Sequence, residues 1–121
     1  MKSKLPKLLI VDDERNMRES LKIVLESHGY KADTVESAEE GLKSVTQNSY
    51  FMVITDARLD GMSGYEFLRE SHERWPDLPM LMVTAYATPK LAVEAIQNGA
   101  VDYLSKPFEP EELLHSVNRC A

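Results

Sequence analysis

The sequence predicts an α/β fold: a five-stranded, mainly parallel sheet with helices on both faces. Three observations lead there. Short runs that are apolar almost throughout recur along the chain. Segments with helical apolar spacing separate them, and the connections between the two are short. Lys7–Val11, Phe51–Thr55 and Met80–Val83 read as strands covered on both sides, and Tyr30–Val35 and Val101–Leu104 continue the series in weaker form. Met17, Leu21, Val24, Leu25 and His28 share one face of a first helix. Ala38, Leu42 and Val45 do the same in a second, and Leu91, Ala95 and Ile96 in a fourth.

Helix ends carry their own signals. Ser37 with Glu40, and Ser63 with Glu66, have capping-box spacing. Thr88-Pro89 and Glu109-Pro110 place proline in a first helical turn, where its missing N–H costs nothing. Gly29 and Gly99 stand where a left-handed residue stops a helix, and Trp75-Pro76 ends the third. The last helix runs from Pro110 to about Cys120. Five strand–helix units in strict alternation require right-handed crossovers. No linker or low-complexity tract interrupts them, so residues 1–121 read as one domain.

Composition narrows the function. With 43% hydrophobic and 28% charged residues, the chain can bury a real core. A net charge of −6 disfavours direct nucleic-acid binding, which calls for a basic face. The single cysteine, Cys120, permits no intrachain disulfide and no Cys-x-x-Cys motif. His28, His72 and His115 lie far apart, each in a predicted helix, and read as surface residues rather than metal ligands. The apolar run after the lysine-bearing start is too short for a signal peptide and stops at two acids, and no segment has the length of a membrane span. A cytoplasmic location is the natural expectation.

In a parallel sheet, residues just after each strand gather along one edge, where ligands bind. Those positions hold Asp12, Asp13 and Glu14 after the first strand, and Asp56 after the third. Thr84 follows the fourth and Lys106-Pro107 the fifth. Taken singly, each has a plainer role. Asp13 caps a helix, Asp56 opens a turn, Thr84 bonds to backbone, and Lys106 is a surface lysine. None of these roles explains why all of them converge on one edge. Chemistry does. Clustered carboxylates repel unless a cation intervenes, and a hard divalent ion such as Mg²⁺ takes carboxylate oxygens. Asp56 then stands as a nucleophile toward phosphorus, with the metal, Lys106 and Thr84 each meeting one phosphoryl oxygen.

At these residues the chain resembles the receiver domains of two-component response regulators. The resemblance runs from Leu8 to about Val117. It is carried by Leu9–Glu14, Val53–Asp56, Asp60–Gly64, Met82–Ala85 and Gly99–Phe108. It implies a flavodoxin-like (βα)5 fold with strand order 2-1-3-4-5. It implies Asp56 as phosphoacceptor, and Mg²⁺ (or Mn²⁺ in its place) on Asp13, Asp12, Asp56 and the backbone carbonyl of Arg58. Thr84, Lys106 and the backbone of Ala85 would contact the phosphoryl group. Thr84 and Tyr103 would form the switch pair, the tyrosine turning inward as the threonine moves. Arg58 and Tyr86 lie where the family tunes hydrolysis, and a bulky Tyr86 would shield the phosphoryl group from water. The Lys106–Pro107 peptide would be cis.

The implied donor is a phosphohistidine on a sensor histidine kinase. The implied output surface, for a homodimer or an output domain, is the face of the fourth helix, fifth strand and fifth helix. The segment Gly99–Phe108 looks most like receivers of the nitrogen-regulation class of transcriptional activators. The chain would then be a receiver from a longer regulator, although a stand-alone regulator fits as well. Two other classes compete. Haloacid-dehalogenase-like phosphatases also use an aspartate after a strand, but they need an acid two residues later. Arg58, which cannot donate a proton, stands there. A docking module that no longer responds to phosphate would have lost the acids, the threonine or the lysine, and this chain keeps them all.

Overall fold

The computed structural model describes residues 7–120. The lysine-bearing start through Pro6 and the final Ala121 lie outside the described residues. In chain order the elements are β1 (Lys7–Val11), α1 (Arg15–Glu26), β2 (Lys31–Val35), α2 (Ala38–Gln47) and β3 (Met52–Asp56). Then follow α3 (Gly64–Arg74), β4 (Met80–Thr84), α4 (Pro89–Gln97), β5 (Asp102–Ser105) and α5 (Pro110–Cys120). The five strands form one parallel sheet in the order β2-β1-β3-β4-β5, as expected.

Alternation of side chains along the strands divides the core into two layers. Leu8 and Ile10 pack with Leu21, Leu25, Leu113 and Val117 beneath α1 and α5. Leu9 and Val11 point the other way, to Phe67, Leu68 and Ala95 beneath α2, α3 and α4. Leu8, Leu9, Ile10 and Val11 are all inaccessible to solvent, which explains why β1 shows no polar alternation. Each such side chain contributes roughly 1.5–3 kcal/mol over an exposed one.

The order of strands reverses at β1 and β3, which leave their carboxyl ends side by side. Val11 pairs with Thr55, so Asp12 and Asp56 stand level across adjacent strands. That register is what builds the site.

Several expectations shift by a residue. β3 begins at Met52 rather than Phe51, β2 at Lys31 rather than Tyr30, and β5 at Asp102 rather than Val101. Asp56 and Thr84 prove to be the last residues of their strands, not the first after them. They remain in the ladder because Asp56 pairs with Val83 and Thr84 with Ser105. α1 stops at Glu26, so His28 lies in the turn beyond it, not in the helix. Gly29 (φ 92°) lets the Tyr30 amide donate back to the Leu25 carbonyl, closing that end, and Gly99 (φ 113°) serves α4 likewise. Ile96 is 48% exposed, contrary to the inward face expected for it. Ala95 fills the place against the sheet, and Leu91 and Ala92 are its half-buried neighbours. That stripe turns Ile96 outward.

Ser63 and Glu66 form the full reciprocal capping box. Ser37 accepts from the Glu40 amide, but Glu40 returns its bond to Glu36 rather than to Ser37. The far end of the sheet is tied by Asp33, which accepts from the Tyr50 hydroxyl at 2.7 Å and pairs with Lys7 at 3.3 Å. Partial burial favours the protonated acid, but Tyr50 and Lys7 outweigh it and hold the Asp33 carboxyl below its ordinary value. A lowered acid stabilises the fold above its unfolded pKa, and that contribution fades as pH falls through the folded value. Asp33→Asn is therefore expected to flatten the loss of stability below about pH 4, read as urea midpoints against pH.

Candidate functional site

The site begins at the end of β1. Asp12 is 1% exposed, and its Oδ1 accepts the Glu14 amide at 2.9 Å, a turn that starts α1 without a side-chain cap. The Arg18 guanidinium, one turn along α1, donates to the Asp12 carbonyl at 2.9 Å and fixes the backbone there. Asp13 faces solvent. Its predicted plainer role as a helix cap is not realised, since Glu14 holds the cap position.

Asp56 ends β3 almost fully buried, with its Oδ1 accepting the Arg58 amide at 3.1 Å. The chain then turns sharply into α3. The Gly64 amide donates to the Ala57 carbonyl, and a Cβ at Gly64 would come within 2.0 Å of the Asp56 carbonyl oxygen. Glycine here is a requirement of space. From α2, Glu39 accepts the Met62 amide at 3.1 Å and braces the same loop.

Lys106 reaches in from β5. Its amide donates to the Thr84 carbonyl at 2.8 Å, and its Nζ lies 2.9 Å from Asp56 Oδ2 and 3.2 Å from Asp12 Oδ2. The lysine thus bridges two carboxylates rather than facing Asp56 alone. The Lys106–Pro107 peptide is cis. Oxygens of Asp12, Asp13 and Asp56 all lie within 4.8 Å of one another. Burial pushes the Asp12 carboxyl up, against the Glu14 amide and Lys106, which favour its ionised form. Burial disfavours the Lys106 ammonium, yet the bond to Asp56 and the charge of Asp12 hold its pKa above the ordinary value. Three carboxylates against one ammonium leave an anionic pocket with only hard oxygen donors. That donor set fits a divalent ion such as Mg²⁺.

The strand order brings these residues to one edge of the sheet, and the comparisons with known proteins identify the family. The family pattern described as "Response regulator receiver domain" matches residues 8–118. The chain belongs to that family.

Among relatives, the "Response regulator protein FleR" of Pseudomonas aeruginosa is 42% identical over 115 residues, which cover 95% of this chain and 24% of that protein. The "DNA-binding transcriptional regulator NtrC" of Klebsiella pneumoniae is 37% identical over 110 residues, 91% of this chain and 24% of that protein. The chain therefore spans about a quarter of the length of these curated relatives. A CheY-like response regulator receiver domain protein from Methanospirillum hungatei superposes with a TM-score of 0.91 at 33% identity, covering 96% of this chain and 93% of that one.

Within the receiver, Thr84 is buried at the end of β4, its Oγ1 accepting the Tyr86 amide at 3.0 Å. Asp13, Asp56, Arg58, Ala85, Tyr86 and Lys106 line one cleft. The Arg58 guanidinium lies 4.2 Å from the centre of the Tyr86 ring, which is itself 60% exposed. Tyr103 is half-buried, and its hydroxyl lies 2.9 Å from that of Tyr65. Sequence reasoning missed Arg18, Glu39 and Tyr65. Glu39 and Tyr65 act through bonds 23 and 38 positions long, and Arg18 through a side-chain bond to the Asp12 carbonyl, none of which local spacing marks. Among the described residues no helix is long and apolar enough to cross a membrane.

Proposed function

We propose that this receiver accepts a phosphoryl group onto Asp56 from a phosphohistidine on a sensor histidine kinase and passes the event on as a conformational change. One carboxylate oxygen of Asp56 attacks phosphorus, the bond from phosphorus to the donor nitrogen breaks, and an aspartyl phosphate forms. Asp12, Asp13, Asp56 and the Arg58 carbonyl would hold Mg²⁺, or Mn²⁺ in its place, which when bound neutralises charge on the phosphoryl oxygens. Lys106 already lies on the Asp56 carboxylate and needs no reorganisation to pair with the incoming group. The Thr84 hydroxyl and the Ala85 amide serve the remaining oxygens. Arg58, stacked on Tyr86, stands over the cleft and limits the entry of water to the aspartyl phosphate. The chain assists its own phosphorylation and dephosphorylation and turns over no free substrate.

The observation that carries this reading is the convergence of three carboxylates and one lysine at the edge where β1 and β3 end. Output through the α4–β5–α5 face is supported by Val93 (55% exposed), Ile96 and Val101 (39%), apolar side chains left open there. We read the chain as the receiver of a longer cytoplasmic regulator of transcription, as suggested by relatives that extend well beyond it. Incubation with acetyl phosphate and Mg²⁺ is expected to add the mass of one phosphoryl group, and excess EDTA to prevent it. An unchanged mass with Mg²⁺ present would refute the proposal.

A further inference from the structure

The hydroxyls of Tyr65 and Tyr103 meet at 2.9 Å across 38 positions of sequence. Tyr65 lies in the first turn of α3, and Tyr103 on β5, level with Met82 of β4. Met82 and Thr84, two residues apart on one strand, face the same side of the sheet, and Tyr103 shares that side. Its ring packs with the core layer beneath α3 and α4 rather than standing out on the open face of β5. To reach Tyr65 it has to cross the end of β4, where Thr84 sits. A cavity of about 350 Å³ lies beside this crossing, lined by Thr84, Tyr65, Tyr86 and Leu91 among others.

We propose that the Tyr65 hydroxyl is the docking point that holds Tyr103 inward and thereby couples α3 to the Thr84–Tyr103 pair. This rests on the phosphoacceptor reading given above. Tyr65 is a positioning residue: it lines the cavity beside Thr84, and its hydroxyl bonds to Tyr103. The bond exists only while the ring lies inward, because a ring turned out over β5 leaves α3 behind. Its free energy is therefore added to one of the two switch states and not to the other. Whatever favours the inward state tightens phosphoryl binding through the population of that state, by at most the same factor. Burial, then the bond to Tyr103, pushes the Tyr65 hydroxyl above its ordinary pKa, so it stays protonated across the physiological range.

The test uses the chain labelled with 3-fluorotyrosine and titrated with beryllofluoride, a phosphoryl mimic, in the presence of Mg²⁺. The ¹⁹F resonance of Tyr86 reports binding in every variant, and that of Tyr103 reports its ring position. Tyr65→Phe keeps the shape of the ring and removes the bond. It is expected to raise the half-saturating beryllofluoride concentration about fivefold, the worth of one such hydrogen bond, and to shift the Tyr103 resonance in the free protein. Tyr103→Phe is expected to weaken binding equally, and the double variant no further. A Tyr65→Phe chain that is less stable but binds as the wild type does would overturn the inference alone, as would additive effects of the two changes. A wild-type chain that does not respond to beryllofluoride would overturn the phosphoacceptor reading, and this inference with it.

Discussion

Asp56→Asn is expected to leave a folded chain that takes up no phosphoryl group from acetyl phosphate and Mg²⁺, measured by intact mass. The amide oxygen still accepts the Arg58 N–H, so the turn after β3 is kept. What disappears is the nucleophile. Stability should not fall, because one attraction and two repulsions go together. The Asp56 carboxylate attracts Lys106 at 2.9 Å and repels the carboxylates of Asp12 and Asp13 within 4.8 Å. Pairs at such separations are of similar strength, so the variant is expected to be at least as stable as the wild type. Urea midpoints read this second quantity. An adduct that persists on the variant would assign the phosphoryl group to another residue.

The second large effect is structural. Gly64→Ala would set a methyl group 2.0 Å from the Asp56 carbonyl oxygen and 2.7 Å from the Ala57 Cα, both backbone atoms that no rotamer change can move. Relief requires α3 to draw away from the end of β3. The expected cost is about 3 kcal/mol or more, with slower phosphorylation because Asp56 and Arg58 move with that backbone. Gly29→Ala is the control. No atom lies within 4 Å of a Cβ there, so only its positive φ is penalised, by roughly 1–2 kcal/mol. Denaturant midpoints should therefore rank wild type first, Gly29→Ala second and Gly64→Ala last. The reverse order would mean that the β3–α3 turn is softer than its close approach implies.

The sheet was legible because burial on both faces writes a simple rule into a strand: Leu8–Val11 are all solvent-free, and the run carries no polar residue. The edge residues were legible for a topological reason. In a parallel α/β order every strand delivers its carboxyl end to the same side, so Asp12, Asp56, Thr84 and Lys106 had to come together wherever the strand bounds fell within a residue. Ile96 was misplaced because periodicity cannot say which of two neighbouring stripes on a nine-residue helix meets the sheet. Ala95 decided it by packing closely.

From the sequence alone came the alternation of strand and helix, the set of acids with one lysine, and their meeting at one end of the sheet. These depend on chain order and on local burial, which a linear pattern records. Only the tertiary structure decided that Lys106 bridges two carboxylates, that Glu39 braces the loop after Asp56 and Arg18 the backbone at Asp12, and that the hydroxyls of Tyr65 and Tyr103 meet. These bonds join groups that the packing of helices and loops against the sheet brings together, and no spacing along the chain encodes their lengths.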